Sequence, residues 1–300
     1  MNTARTAFQL TTLLIALFVM TPVSAQSEKP MSVVASFSIL GDMVENIGGP
    51  HVNVTYLVGP NSDAHVYQPT PADAQAVNQA DILFVNGLNF EGWMDRLVEA
   101  SGFRHSPVVV TSGITPLYFD QGGNGTPDPH AWQNLKNAVI YVDNIAAALA
   151  KADPENASAF YRNRAAYVEK IRSIDADIRA SINALPQTDR TVVTSHDAFG
   201  YFAAEYGLAF FSPQGVSTDS EASAGDVADL IVQIREQAIR AVFVESISDS
   251  RLLEQIVAET AASIGGTLYS DALSTSNGPA STYLTMVRHN LETLVTALKN

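Results

Sequence analysis

Three histidines and one aspartate sit in turn-rich stretches of this chain. They are His65 in Asp-Ala-His-Val-Tyr, His130 in Asp-Pro-His-Ala-Trp, His196 in Thr-Ser-His-Asp-Ala and Asp271 in Tyr-Ser-Asp-Ala-Leu. One falls in each quarter of the sequence, so only a fold that gathers distant loops brings them together. Three imidazoles and one carboxylate form a complete tetrahedral set for a borderline-soft divalent ion. The other histidines read differently. His51 follows Gly48-Gly49-Pro50, His105 adjoins Arg104, and His289 follows Arg288 inside a helical pattern, so all three are taken as structural or solvated. Ser195-His196-Asp197 contains the residue types of a hydrolytic triad, but contiguous residues do not converge as a triad must. There is no Gly-x-Ser-x-Gly elbow, phosphate loop, His-Glu-x-x-His or dinucleotide fingerprint. A catalytic zinc keeps one position open for water, whereas four protein ligands close the sphere. The set therefore suits holding an ion rather than activating water on it.

The elements that must position these residues alternate between strand and helix. Met31–Phe37, Val52–Val58, Asp81–Asn86 and Val108–Thr111 read as strands in the first half, with helices at Pro71–Gln79 and Gly92–Ser101. In the second half Thr191–Thr194, Leu208–Phe211, Ala241–Glu245 and Thr267–Tyr269 read as strands. Ala224–Gln237, Ser250–Ile264 and Ser281–Lys299 read as helices. Near-continuous apolar strands alternating with helices indicate parallel sheets covered on both faces. Between the halves, Pro154 to Leu185 has no strand signal, and Phe160, Tyr167, Ile171, Ile174, Ile178 and Ile182 recur at helical spacing. About 30 helical residues span roughly 45 Å. The expected architecture is α/β: two Rossmann-like lobes, 27–153 and 187–300, joined by one long rigid helix over 154–186. In such sheets ligands sit beyond the carboxyl ends of the strands, where all four candidate residues fall. His130 is expected in a loop opened by Gly122-Gly123-Asn124-Gly125 and leading into a helix near Asn134.

Composition narrows the setting. The chain has 300 residues, 46% of them hydrophobic, enough for a large core or two. A basic start at Met1–Arg5, an apolar run over Ala7–Met20 and small residues at Val23-Ser24-Ala25 read as a signal peptide over 1–25. The apolar run is too short to span a membrane. With no cysteine in the sequence, disulfides, thiolate ligands and a cysteine-linked lipid are not expected. A soluble, secreted periplasmic protein follows as the expectation. The net charge of −14 disfavours nucleic acid and anionic membranes as partners.

At its motifs the chain resembles the periplasmic metal-binding receptors of ABC importers, the zinc/manganese family called cluster A-I or cluster 9. The resemblance rests on Leu57–Pro71 around His65, Asn86–Trp93, Asp128–Trp132 around His130, Ser195–Phe202 around His196, and Asp271-Ala272-Leu273 with Tyr283-Leu284 and Met286. It covers essentially the whole chain after residue 25. It implies two similar lobes with a metal at their interface, His65 and His130 coming from the first and His196 and Asp271 from the second. It also implies a membrane permease as partner, no enzymatic activity and a monomer, with a periplasmic metallochaperone as a further candidate partner. In this family a histidine at the third position goes with zinc and a glutamate with manganese or iron. Zn²⁺ is thus the expected cargo, with Mn²⁺ the alternative.

Two departures from the family pattern carry expectations. Ala64 stands where proline is usual, so a looser turn is expected before His65. Residues 115–129 hold no histidine, only Asp120 and Asp128, so no metal-collecting loop is expected there. Each imidazole should be neutral when ligating, its other nitrogen held by a partner that the sequence does not name. Binding should weaken in acid near the imidazole reference value of about 6.5. Loop 212–225 is expected to order over the ion. The rival readings are a manganese or iron receptor of the same fold, a secreted zinc metallohydrolase, and an adhesin-like surface protein.

Overall fold

The computed structural model describes residues 29–119 and 125–299; the expected signal peptide, Asp120 and Gly122-Gly123-Asn124 lie outside these residues. The first half builds β1 (Met31–Phe37), α1 (Ser38–Gly48), β2 (Val52–Val58), α2 (Pro71–Gln79), β3 (Ile82–Val85), α3 (Met94–Ser101) and β4 (Val108–Val109). Its strands form a parallel sheet ordered β2-β1-β3-β4. A short antiparallel pair, β5 (Tyr118–Phe119) with β6 (Thr126–Pro127), precedes α4 (Leu135–Ala152) and α5 (Ala157–Asn183). The second half builds β7 (Thr191–Val193), α6 (Gly200–Tyr206), β8 (Ala209–Phe211), α7 (Ala224–Glu236), β9 (Ala241–Glu245), α8 (Arg251–Ala258), β10 (Ser263–Leu268) and α9 (Tyr283–Lys299). Its parallel sheet is ordered β10-β9-β7-β8. This is the two-lobed α/β architecture with one long helix.

Local chemistry explains most boundaries. Thr70 and Asp73 form a capping box at the start of α2, and Ser223 and Asp226 do the same for α7. The α5 stripe of Phe160, Tyr167, Ile171, Ile174, Ile178 and Ile182 is buried throughout. α5 begins at Ala157, not Pro154, because Asp153 Oδ1 accepts the Asn156 backbone N–H and holds Pro154–Asn156 in a turn. One expected boundary fails clearly. Residues 263 and 264 belong to β10, not to the preceding helix, which ends at Ala258. The strand shifts register between Ile264 and Gly266. A Cβ on Gly265 would sit 2.7 Å from Phe243 and 2.8 Å from Ala297, and Gly266 adopts φ +137, so the bulge requires glycine at both positions.

The lobes share one apolar core. A single buried cluster runs from Val33 and Phe84 in the first sheet, through Ile171 and Ile174 of α5, to Phe243, Leu268 and Met286. A smaller one, including Val193, Leu230, Ile234 and Leu253, lies on the outer side of the second sheet. Buried hydrogen bonds add to the junction. Leu273 N–H donates to Ser38 Oγ at 3.0 Å, and Tyr283 N–H donates to Asp42 Oδ2 at 2.9 Å. The Tyr283 hydroxyl donates to the Trp132 carbonyl at 2.6 Å, and Trp132 Nε1–H donates to the Ser270 carbonyl at 2.9 Å.

Candidate metal centre

Each sheet reverses its strand order at an interior point: in the first, β1 leads to β2 on one side while β3 leads to β4 on the other, and in the second β7 leads to β8 on one side while β9 leads to β10 on the other. Crevices at such switch points are where open α/β sheets bind ligands. The two crevices face each other here. His65 comes from the loop after β2, His130 from the loop leading into α4, His196 from the loop after β7, and Asp271 from the loop after β10. The four side chains converge, with one candidate ligand atom from each lying within 4.8 Å of the others.

The geometry is that of a coordination sphere. His130 Nε2 lies 3.3 Å from both His65 Nε2 and His196 Nε2. Asp271 Oδ2 lies 3.3 Å from His65 Nε2 and 3.2 Å from His196 Nε2, and Oδ1 lies 3.5 Å from His130 Nε2. A tetrahedral ion with bonds of about 2.0–2.1 Å sets its ligand atoms roughly 3.3–3.4 Å apart. Hydrogen bonding alone does not account for the cluster. Both Asp271 oxygens are buried without a well-formed hydrogen bond, and buried acceptors are costly when unsatisfied. A cation at the centre would satisfy them. His130, His196 and Asp271 are wholly buried and His65 is 7% exposed, so such an ion would be almost completely desolvated.

Behind the cluster stands a second layer of carboxylates. Asp128 Oδ1 lies 2.7 Å from His130 Nδ1 and also accepts the His130 backbone N–H at 2.9 Å. Glu245 Oε1 accepts the His196 backbone N–H at 2.8 Å. Its Oε2 lies 2.8 Å from His196 Nδ1, close but poorly aligned for a hydrogen bond. These contacts leave each Nε2 facing the centre. Sequence reasoning missed both carboxylates as partners of the imidazoles. Glu245 had left a signal, being the one charged residue of the apolar strand Ala241–Glu245, at its carboxyl end.

The turn before His65 is not loose, contrary to expectation. Asp63 Oδ1 accepts the His65 backbone N–H at 2.8 Å, and the buried Ala64 gives its carbonyl to Trp93 Nε1–H at 2.7 Å. These bonds do the work expected of a proline. The His130 loop is anchored through Asn86, whose Nδ2–H donates to the Pro129 carbonyl at 2.9 Å. Asn86 in turn gives its backbone N–H to the buried Glu91 carboxylate at 2.7 Å. The remaining histidines stand apart: His51 lies edge-on to Phe160, His105 against Phe103, and His289 Nε2 at 3.0 Å from the Thr267 carbonyl.

The electrostatics is that of a site awaiting a cation. Burial pulls the His130 imidazole down, but Asp271 and Asp128 outweigh it and push it up to about 9. Burial likewise opposes a charged His196, and Glu245 and Asp271 drive it well above its ordinary value. Burial would raise the Asp271 carboxyl, yet His130 and His196 hold it well below the usual carboxylate range. These carboxylates favour protonated imidazoles in the metal-free protein, so proton competition is expected to set in above the reference value of about 6.5.

Two lobes closing on a desolvated cation site define a metal-binding receptor. The chain belongs to the family described as zinc-uptake complex component A, periplasmic, whose model it matches over residues 33–297. It is 36% identical over 272 residues to the iron-binding protein YfeA of Yersinia pestis, covering 90% of this chain and 87% of that protein. It is 37% identical over 279 residues to the manganese-binding lipoprotein MntA of Bacillus subtilis, covering 91% of each. Among solved structures it is similar to a Mn-bound mutant of the periplasmic metal binding protein of Candidatus Liberibacter asiaticus, with TM-score 0.84 and 37% identity over 90% of this chain and 100% of that one. It is equally similar to the periplasmic zinc binding protein TroA from Treponema pallidum, with TM-score 0.84 and 34% identity over 90% and 99%. The protein is thus a metal-binding receptor of an ABC transporter, from a family of solute-binding proteins.

Proposed function

We propose that this protein captures Zn²⁺ in the periplasm through His65, His130, His196 and Asp271 and delivers it to an ABC-type import permease. The observation that carries the zinc reading is the third candidate ligand: His196 is an imidazole backed by a carboxylate, making the set three nitrogens to one carboxylate. Imidazole suits zinc, whereas manganese favours oxygen-rich octahedral sites. The inter-ligand spacings of 3.2–3.5 Å are in keeping with the short bonds of a tetrahedral zinc site. The signal-peptide pattern over residues 1–25 supports export to the periplasm.

Manganese or iron is the second reading, favoured by the names of the Bacillus and Yersinia relatives. A zinc metallohydrolase would need a coordination position left open for water, and the closed donor set argues against it. Competition between Zn²⁺ and Mn²⁺ for the purified metal-free protein tests the proposal. Tighter zinc binding is expected, together with zinc as the major element in protein prepared from periplasm without added metal. Tighter manganese binding with manganese in the native sample would overturn it.

A further inference from the structure

We propose that Glu205 is a positioning residue: it latches the second lobe to the first and to the linking helix, and this ionic latch sets how long the closed site keeps its metal. The inference rests on the metal-receptor reading and deepens it. Glu205 lies on α6, which starts at Gly200, just past the His196 loop. Its carboxylate is the meeting point of three elements. Oε1 pairs with Lys136 Nζ, in the first turn of α4, at 2.5 Å, and also accepts from Arg179 Nη2 of α5. Oε2 accepts from Asn134 Nδ2 at 3.2 Å. Asn134 ends the loop that carries His130 and caps α4, its own Oδ1 accepting the Lys136 backbone N–H at 2.8 Å.

This differs from an ordinary surface ion pair, which contributes little. The Glu205 side chain is only 14% exposed, and it serves two cations and an amide at once. Its charge also sits beside the N-terminus of α4, where the helix dipole favours an anion. Burial would raise the Glu205 carboxyl, but Lys136 and Arg179 outweigh it and hold the group below its ordinary value. Arg179 is itself fixed. Its Nε and Nη2 donate to the Asp175 carboxylate at 2.9 and 3.2 Å, and its guanidinium lies 5.1 Å from the Tyr206 ring centroid. At the other end of α6 the Tyr201 hydroxyl donates to the Asp128 carbonyl at 3.1 Å. The helix is thus fastened at both ends along the segment that carries His130. A bound ion leaves only when His196 parts from His130, and that motion strains this seam. Glu205 is its charged fastening.

The test is the rate of Zn²⁺ release into excess chelator, read by stopped flow for the wild type, E205Q, K136Q and the double variant, each at about 0.01 and 1 M NaCl. Metal-free melting curves check that each variant folds. E205Q is expected to speed release roughly 3–10-fold at low salt, on the scale of two partly exposed ion pairs. Salt should speed release from the wild type and much less from E205Q, a response that a merely structural role for residue 205 would not produce. The effects of K136Q and E205Q should fall short of additive in the double variant. E169Q, which removes the charge of an exposed pair with Arg172 elsewhere on α5, should leave the rate unchanged. Release from E205Q that matches the wild type, or that keeps the full salt response, would overturn the proposal. Should E205Q fail to fold, K136Q carries the same salt test from an exposed side chain. A wild-type protein that prefers Mn²⁺ would sink the zinc reading, while the same release assay run with Mn²⁺ still decides the latch.

Discussion

At the scale of single residues, the candidate site consists of four side chains, two of them backed by carboxylates. His196 is wholly buried at the centre of the cluster, while His289 is remote from it. His196→Ala should therefore lower zinc affinity by two orders of magnitude or more, on the order of losing one of four ligands. His289→Ala should leave it unchanged, and chelator-competition titration of the pair checks both outcomes. The pH behaviour belongs at this scale too. With His130 raised to about 9 in the metal-free protein, its contribution to stability is fully present below the unfolded imidazole value of about 6.5 and is lost as pH rises through about 9. Zinc must displace that proton, so binding at pH 7 should release protons and tighten as pH rises toward 9. Calorimetry in buffers of different ionisation enthalpy reads the release directly. A binding heat independent of buffer would contradict the assignment.

At the scale of elements, the loop between β8 and α7 matters most. Thr218 Oγ1 in this loop donates to Asp63 Oδ2 at 2.6 Å, joining it to the turn that carries His65. Beside this contact lies a cavity of about 470 Å³ lined in part by Asp63, Ser195, Gln214, Thr218 and Glu221. Thr218→Val keeps the shape and removes the donor. It should speed zinc release by roughly tenfold or more, as expected for losing one hydrogen bond to a charged acceptor worth about 1.5–3 kcal/mol, with the four candidate ligands untouched. Stopped-flow mixing with excess chelator measures the rate, and an unchanged rate would show that the loop does not retain the ion. Much of this scale was legible in the sequence. The candidate ligand loops follow β-branched runs, and the α5 stripe repeats at helical spacing, because local pattern and burial agree there. The failures arose where tertiary contacts decided. Residues 263 and 264 read as the end of a helix, yet with Gly265 and Gly266 they form a bulged strand, and Phe243 and Ala297 leave room for nothing larger than glycine at 265. The Glu245 partnership depends on β9 lying beside β7, which local pattern does not reveal, whereas the Asp128 contact is local, two residues from His130, and was overlooked in the Asp-Pro-His motif.

At the scale of the molecule, the two lobes share a core and a set of buried hydrogen bonds that join α1, the turn before α4 and the start of α9. Wide hinge opening would expose Phe243, Met286 and other residues of one continuous apolar cluster. Small rocking with loop ordering is the cheaper motion. Small-angle scattering should thus show nearly equal radii of gyration with and without zinc. Thermal stability should nonetheless rise with zinc, since an ion at 100 times its dissociation constant adds about 2.7 kcal/mol. A large change in radius without a thermal shift would contradict the shared-core account. The central claim is that one cation is gripped jointly by both lobes, and zinc K-edge X-ray absorption of the one-to-one complex tests it most directly. Four nitrogen or oxygen neighbours at about 2.0–2.1 Å, three of them showing imidazole outer-shell scattering, are expected. Fewer than three imidazoles, or a six-coordinate oxygen shell, would contradict it.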